Sequence, residues 1–276
     1  MNPKEVPFID IHTHHPGEGY YTYGVHPWTL DEYVIATPKR SNSRSVRGTQ
    51  KGTLVTTEGS YVVPLGYLAK QGLLCFASLR SGKQPNLTGL ITLLKENKIV
   101  AIGETGLDRL HKDTYDLQLE FFEQHILLSE QYQKPLIIHC VKATADILRL
   151  HGKHQPKQTW IIHGFNGNAD EIRQLTQRGI CLSVGESIFY PNRKITKHLS
   201  SIPLEYLFLE TDTSEKTIQQ IYAKAAELLN LPLERLKQQI FSNFARLNLT
   251  PWKTGNNAHD CSSVTMALIN LGEAMC

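Results

Sequence analysis

Short apolar runs recur along the chain from residue 99 onward, and each is followed by a longer stretch of helical character. The runs are rich in Ile, Val and Leu, show no polar alternation, and are bounded by glycine or proline, which is typical of buried parallel strands. Strands that alternate with helices in this way predict an α/β fold with a parallel sheet, either a barrel or a doubly wound sheet. The runs are IVAIGE, PLIIHC, TWIIHG, ICLSVG and LFLETD.

Apolar residues recur at helical spacing between these strands. In the longest such stretch they lie at positions 117, 121, 122, 126 and 128, and Asp113 or Thr114 is the expected N-cap. The last helix is expected to carry Pro232 in its first turn, which suits the fixed φ of proline. Further helices are predicted at 143–151, 168–178, 193–200, 214–229 and 232–247.

The N-terminal part adds two strands, FIDIHTH and YYTYGVHP, but residues 37–90 lack this regularity. The stretch TPKRSNSRSVRGTQKGT is polar, basic and rich in Ser, Thr and Gly, which predicts a loop or disorder. Seven strands are one short of an eight-stranded barrel, so we expect residues 37–90 to supply the eighth. We therefore predict a (β/α)8 TIM-barrel-like α/β domain over 1–250, with a distorted or incomplete N-terminal part and a C-terminal tail at 251–276.

Composition narrows the class of protein. The 276 residues are 41% apolar, which is enough for a sizeable core and argues against global disorder. No apolar run is long enough to cross a bilayer, and the opening MNPKEVPF lacks the apolar stretch of a signal peptide. The five scattered cysteines argue against a disulfide framework. We expect a cytoplasmic protein with no membrane partner, and no obligate protein partner is inferred.

Charge is distributed unevenly along the chain. Between residues 37 and 90, eight basic residues and one acid give a segment charge of +7, which leaves −4 for the rest of the chain. A basic stretch can be a phosphate-binding surface. A solvated insertion is the more frequent case, and both interpretations stay open.

Nearly every predicted strand ends in a side chain that can bind a metal. In a β/α barrel the C-terminal ends of the strands meet at one mouth, where active sites lie. Residues two apart in a strand face the same side, so His12 and His14 can face the barrel axis together. One histidine after an apolar run is more often structural, but metal-binding residues at the ends of six strands predict a metal site. In chain order these residues are His12 and His14, His26, Glu104, His139, His163 and Asp212.

The types of side chain narrow the choice of metal. Imidazoles and carboxylates exclude a structural thiolate zinc site, and Cys140, which alternates to the other face, is expected in the core. Six ligands exceed what one catalytic ion normally takes, so two ions bridged by a carboxylate fit better. Imidazole favours zinc, manganese, iron or nickel, while carboxylate and water positions leave magnesium open. Two ions about 3.5–4 Å apart can activate water and stabilise the attacking and leaving oxygens of phosphoester hydrolysis.

Six motifs occur in a fixed order over residues 6–30 and 99–248: FIDIHTH, GVHPW, AIGETGLD, PLIIHC, IIHGFNG and LFLETD. In this order they resemble the TatD-related hydrolases, which belong to the amidohydrolase-type group of metal-dependent β/α barrels. The resemblance implies a divalent-metal-dependent DNase, often of exonuclease type, that uses a metal-activated water and has DNA as its substrate. It also implies two divalent ions per chain, with zinc, magnesium and manganese as the candidates.

The resemblance further implies roles for individual residues. Glu104 would bridge the two ions, and Asp212 would also orient or deprotonate the attacking water. His26 and Asp108 match non-ligand positions and would contact the substrate or the groups behind the ligands. A helix cap is the structural alternative for Asp212, because TDTSE resembles a helix start. The implied metal ligands are His12, His14, Glu104, His139, His163 and Asp212.

Departures from the family pattern leave the substrate open. Cys140, Val141 and Lys142 stand where the family usually has an arginine that helps to hold phosphate, and the proline- and arginine-containing loop after ETD is absent. The spacing between HTH and GVHP is short, as if one strand–helix unit had been removed. Phosphodiester hydrolysis is the leading function. Hydrolysis of a small phosphoester, an amide or a lactone, and nucleic-acid binding without catalysis, are the alternatives.

Overall fold

The computed structural model describes residues 6, 8–14, 20–23, 53–54, 63–64, 94–95, 99–247 and 263–268. Strands β1 to β10 are, in chain order, Phe8–Thr13, Tyr20–Tyr23, Thr53–Leu54, Val63–Pro64, Ala101–Asp108, Leu136–Val141, Trp160–Ile162, Cys181–Val184, Leu207–Leu209 and Ser263–Leu268. Eight of them form a parallel sheet in the order β1-β10-β2-β5-β6-β7-β8-β9. The other two, β3 and β4, form a separate antiparallel pair.

Helices follow the strands of the second half of the chain, as the spacing of apolar residues predicts. Two of them begin with a capping box, in which Asn168 accepts the N–H of Glu171 and Thr217 accepts the N–H of Gln220. None of the described helices is long and apolar enough to span a bilayer. Helices α1 to α6 are Tyr115–Tyr132, Thr144–His154, Ala169–Thr176, Lys194–His198, Ile218–Leu229 and Leu233–Ala245.

Two helix starts differ in detail from the prediction. Thr217 caps α5, so this helix begins at Ile218 and not near residue 214. Pro232 occupies the N-cap position of α6 and precedes its first turn. Pro232 was expected at the start of α6, whereas Thr217 was not named as a cap, because the exact boundary depends on how the first free N–H groups are satisfied.

The two edges of the eight-stranded sheet are joined by backbone hydrogen bonds just beyond β9. The N–H of His14 donates to the carbonyl of Asp212 at 3.0 Å, and the N–H of Asp212 donates to the carbonyl of His12 at 2.9 Å. Thr13 and Asp212 form an isolated parallel bridge at the same place. The first strand therefore meets the segment that follows the last one, and the predicted α/β fold of TIM-barrel type is confirmed.

The eighth strand of the sheet comes from an unexpected part of the chain. β10 lies between β1 and β2 and pairs with both. The expectation that residues 37–90 supply this strand is wrong for the described residues, since β3 and β4 lie outside the sheet. The short spacing between HTH and GVHP leaves a gap at this place. A distant segment fills it because the N–H and C=O groups of the neighbouring strands need partners.

The hydrophobic core lies on both faces of the parallel sheet. Every residue of β5, β7, β8 and β9 is buried, which explains why these strands lack polar alternation. Tyr222 of α5 is fully buried, and its hydroxyl accepts the N–H of Ile9 at 3.1 Å and donates to the Ile9 carbonyl at 3.0 Å. This pair of bonds connects α5 to β1, the strand that contains His12 and directly precedes His14.

Two glycines bring β5 close to β6. A Cβ at Gly106, which has φ +147°, would overlap the carbonyl oxygen of His139. A Cβ at Gly103 would lie 2.6 Å from the side chain of Ile137. The GETG sequence therefore places Glu104 next to the strand that carries His139, because only glycine permits this approach.

Candidate metal centre

Glu104 lies at the centre of four histidines. Its Oε1 is 2.7 Å from His139 Nδ1 and 2.6 Å from His163 Nε2. Its Oε2 is 3.4 Å from the Nε2 atoms of both His12 and His14. The carboxylate therefore presents one oxygen to each pair of imidazoles, which is the arrangement required of a carboxylate that bridges two ions.

Asp212 closes the cluster beside the first histidine pair. Its Oδ1 is 3.3 Å from His14 Nε2 and 3.8 Å from His12 Nε2. Its backbone is in the left-handed region, with φ +50°, which aspartate tolerates better than most residues. Since Thr217 caps α5, the alternative interpretation of Asp212 as the cap of that helix is wrong.

The donor set fits divalent ions. His12 is fully buried, and the distances from its Nε2 to the two carboxylates, 3.4 and 3.8 Å, are longer than a good hydrogen bond. Imidazole nitrogens and carboxylate oxygens converge here, and these are the ligand atoms of catalytic zinc and manganese sites. The ligand atoms lie within 4.8 Å of one another in three overlapping groups: His12–His14–Glu104, Glu104–His139–His163 and His12–His163–Asp212.

Burial and mutual charge set the protonation of these residues. Burial raises the pKa of Glu104, but the surrounding histidines, His163 first, outweigh it and hold this pKa well below its usual range. Burial lowers the pKa of His163, which favours the neutral ring that binds metals. Burial also lowers the pKa of His12, but Glu104 outweighs this effect and the pKa rises to about 9. A cation would displace the proton of His12, so metal binding would release protons.

Two buried carboxylates lie behind the histidines. Asp108 Oδ2 is 3.7 Å from His139 Nε2, and Glu210 Oε1 is 3.9 Å from His163 Nδ1. Glu210 also accepts the N–H of Gly164 at 2.5 Å. Each carboxylate faces the ring nitrogen that points away from Glu104, where a carboxylate orients a ligand histidine. Asp108 is 1% exposed, which favours the second of its two expected roles, a contact behind the ligands.

Asp10 and Glu210 are two buried carboxylates near the site that the strand-end pattern does not indicate. Each stands two residues before a candidate ligand, His12 or Asp212, so strand alternation is the signal that could have found them. Burial raises the pKa of Asp10 to about 6, although hydrogen bonds from Thr211 oppose this shift. Burial likewise raises the pKa of Glu210 to about 8.

Cys140 and His26 are the remaining residues that the sequence singles out. Cys140 packs against the hydrophobic core, as strand alternation predicts, and burial raises the pKa of its thiol to about 11. His26 lies outside the described residues. The other predicted site residues, His12, His14, Glu104, Asp108, His139, His163 and Asp212, meet at the carboxyl ends of β1, β5, β6, β7 and β9.

A cleft of about 260 Å³ opens beside Asp212. Its walls are formed by the segments that follow β7, β8 and β9, so it lies at the end of the barrel where active sites occur. Polar side chains dominate the wall, and they include Asn166, Glu186, Ser187, Arg193, Thr213 and Ser214. The cleft gives a substrate access to Asp212, the candidate ligand that forms part of its wall.

Residues 7–248 match the family model described as TatD related DNase. The chain belongs to this family. A TatD-family relative from Escherichia coli, named an uncharacterized metal-dependent hydrolase YjjV, is 29% identical over 162 residues, which are 53% of this chain and 62% of the relative. A protein of Schizosaccharomyces pombe named deoxyribonuclease Tat-D is 29% identical over 176 residues, which are 60% of this chain and 56% of that protein.

Solved structures of the TatD family have the same fold. The crystal structure of the YjjV protein of Escherichia coli, described as a TatD homolog, matches with a TM-score of 0.55 and 26% identity, over 59% of this chain and 69% of that chain. A hydrolase TatD family protein from Entamoeba histolytica matches with a TM-score of 0.52 and 21% identity, over 61% and 69%. The chain spans about three fifths of the length of the curated relatives it matches.

Proposed function

We propose that this chain is a divalent-metal-dependent hydrolase that cleaves phosphodiester bonds, with DNA as its substrate and an exonuclease-type action. The observation that carries the proposal is the position of Glu104, whose two oxygens face two separate pairs of histidines. Membership of the TatD-related family supports it, as does the deoxyribonuclease name of the Schizosaccharomyces pombe relative.

The ligands divide into two sets around Glu104. His12, His14 and Asp212 would hold one ion, and His139 and His163 would hold the other. Bound divalent ions would supply Lewis acidity, lower the pKa of water and neutralise charge on the phosphate. Zinc and manganese suit four imidazoles best, and magnesium stays a candidate because the two carboxylates leave room for oxygen ligands.

Asp212 is the residue best placed to handle the proton of the attacking water. Its side chain is 34% exposed and lines the cleft, whereas the side chain of Glu104 is 2% exposed. A carboxylate at the boundary between a cleft and a metal centre can accept a hydrogen bond from water and orient it. Glu104 would act differently, since its buried carboxylate would help to hold the ions and would not face the cleft.

The size of the cleft favours a second candidate substrate. A volume of about 260 Å³ lies just below the usual range of small-molecule sites, roughly 300 to 1,000 Å³. A small phosphoester fits a cleft of this size. An oligonucleotide would place only its terminal nucleotide there, which is consistent with cleavage from a strand end.

A substrate panel separates these candidates. Metal-free protein is reloaded with zinc, manganese or magnesium and tested on single-stranded DNA, duplex DNA, bis-p-nitrophenyl phosphate, a phosphomonoester, an amide and a lactone. We expect the highest kcat/KM on single-stranded DNA and no activity after chelation. Glu104→Gln protein, purified in parallel, reports any contaminating nuclease. A preference for the monoester, the amide or the lactone would contradict the proposed substrate.

A further inference from the structure

An exposed aromatic ring is hydrogen-bonded to a residue of the cleft wall. Tyr190 follows the short 3-10 helix after β8 and is 45% exposed. Its hydroxyl donates to Glu186 Oε1 at 2.5 Å, and Glu186 is part of the cleft wall. Because this hydrogen bond already holds the ring, little conformational freedom remains to be lost when a flat ligand stacks on it.

Arg193 lies three residues further along the same loop and lines the cleft together with Asp212. Its N–H donates to the carbonyl of Tyr190 at 3.0 Å, which closes a turn between the two residues. Thr196 fastens this turn, since its hydroxyl donates to the carbonyl of Tyr190 at 2.8 Å and to that of Ser187 at 3.1 Å. The backbone that carries Arg193 is therefore fixed before any ligand binds.

The charge of Arg193 is not committed elsewhere in the described part of the chain. Arg109 and Arg173 each form a close ion pair with an aspartate, at 2.5 and 2.8 Å, whereas Arg193 forms no ion pair with a described carboxylate. The carboxylate of Glu186, its neighbour in the cleft wall, accepts the hydroxyl of Tyr190. A guanidinium that forms no ion pair with a described carboxylate can bind a phosphate with two parallel hydrogen bonds.

We propose that Tyr190 and Arg193 hold one nucleotide of a single-stranded nucleic acid beside the metal centre. The base stacks on the ring of Tyr190, and the phosphate is bound by the guanidinium of Arg193. This inference rests on the proposed phosphodiester hydrolysis and specifies its substrate class. Base stacking on an aromatic ring needs a free base face, which a single strand offers and the interior of a duplex does not.

The test is a binding measurement that needs no turnover. Phosphorothioate-linked oligothymidylate, which retains the charge of DNA and resists hydrolysis, is titrated into the metal-loaded protein, and fluorescence anisotropy reports the Kd. An abasic strand of the same length and charge is titrated in parallel. The variants are Tyr190→Ala, Tyr190→Phe and Arg193→Ala. The control is Arg173→Ala, which removes an exposed arginine of α3 outside the cleft wall.

Tyr190→Ala and Arg193→Ala should differ in how they bind the strand that lacks bases. Tyr190→Ala should weaken oligothymidylate binding roughly fivefold to a hundredfold, and it should leave binding of the abasic strand unchanged. Tyr190→Phe keeps the ring but loses the hydrogen bond to Glu186, so it should bind the abasic strand like the parent and bind oligothymidylate with a Kd between those of the parent and Tyr190→Ala. Arg193→Ala should weaken both strands equally and reduce the slope of log Kd against log salt by about one. Arg173→Ala should match the parent.

The results distinguish a wrong nucleotide subsite from a wrong proposed function. If the parent cleaves DNA but Tyr190→Ala and Arg193→Ala bind oligothymidylate with the parent Kd, the nucleotide subsite is wrong and the proposed function stands. If Tyr190→Ala weakens the abasic strand as much as oligothymidylate, base stacking is wrong. If both variants behave as expected but the parent cleaves no phosphodiester, the subsite stands and the proposed function is wrong.

Discussion

The carboxylate of Asp10 accepts hydrogen bonds from both donors of Thr211, from its N–H at 3.0 Å and from its hydroxyl at 2.7 Å. Asp10 lies in β1 two residues before His12, and Thr211 directly precedes Asp212. Both residues are buried. The pair therefore connects the strand that carries one histidine pair to the carboxylate that completes the same ligand set, and it fixes their relative position.

Thr211→Val tests this connection. The substitution keeps the shape of the side chain but removes the hydroxyl, so Asp10 loses one of its two bonds from Thr211, and the contact of this hydroxyl with Thr13 Oγ1 at 2.8 Å is lost as well. We expect the free energy of unfolding to fall by about 1–3 kcal/mol. We also expect weaker metal binding, because Asp212 is no longer held at its place beside His12. Urea unfolding and manganese titration measure the two effects.

Thr176→Val is the matched control for this experiment. Thr176 is also buried, and its hydroxyl donates to the carbonyl of Ile172 within α3 at 2.9 Å. Its loss should reduce stability without changing the affinity for manganese. If Thr211→Val binds manganese as tightly as the parent, the pair of Asp10 and Thr211 stabilises the fold only and does not position Asp212.

Asp212→Asn separates catalysis from structure. Asparagine has the size of aspartate but is a poor base and a weaker ligand, so the rate should fall by roughly 10²–10⁴. The melting temperature of the metal-free protein should stay near that of the parent. Thr217→Ala is the opposite case, because it removes the cap of α5 and should cost about 1 kcal/mol of stability at an unchanged rate. A parental rate in Asp212→Asn would remove this residue from the mechanism.

Cys140 is expected to be dispensable for the reaction. Burial raises the pKa of its thiol to about 11, so the thiol is protonated at neutral pH and is a poor nucleophile. Cys140→Ser should lower stability modestly and leave kcat/KM within about twofold of the parent, since the thiol packs and does not react. Steady-state kinetics at a normal yield of folded protein measure this. A large loss of kcat would show that the thiol takes part in the reaction.

His125 should make the fold less stable in acid. It is fully buried in α1, and burial lowers its pKa to about 4, whereas the unfolded value is about 6.5. Between these pH values the unfolded chain binds more protons, so the free energy of unfolding falls as the pH drops from about 6.5 to 4. The contribution of this residue to the decrease is on the order of 3 kcal/mol at most.

Urea unfolding of metal-free parent and His125→Gln protein, measured from pH 7 to pH 4.5, checks this contribution. Glutamine can keep the hydrogen bond that the Nδ1 of His125 makes to the carbonyl of Phe121 at 2.8 Å. The difference in stability between parent and variant should shrink as the pH falls, because only the parent loses stability through this group. Parallel stability curves would show that His125 does not titrate as expected.

The candidate ligands could be predicted from the sequence because the alternation of side chains along a strand is a local property. Alternation along β1 places His12 and His14 on one face, and the barrel brings the other strand ends to the same mouth. The position of β10 between β1 and β2 could not be predicted, since it depends on pairing with strands about 250 residues away. The loop that carries Tyr190 and Arg193 could not be predicted either, because its conformation depends on side-chain bonds to backbone carbonyls, such as those of Thr196, that follow no periodic sequence pattern.

Activity measured against equivalents of added metal tests the central claim most directly. Metal-free protein is kept well above its Kd for manganese, the ion is added stepwise, and the rate of phosphodiester hydrolysis is measured at each step. If Glu104 bridges two ions, the rate should rise until two equivalents per chain are present and then stay constant. A plateau at one equivalent would contradict the two-ion centre, and a rate that does not respond to any divalent ion would contradict the proposed function itself.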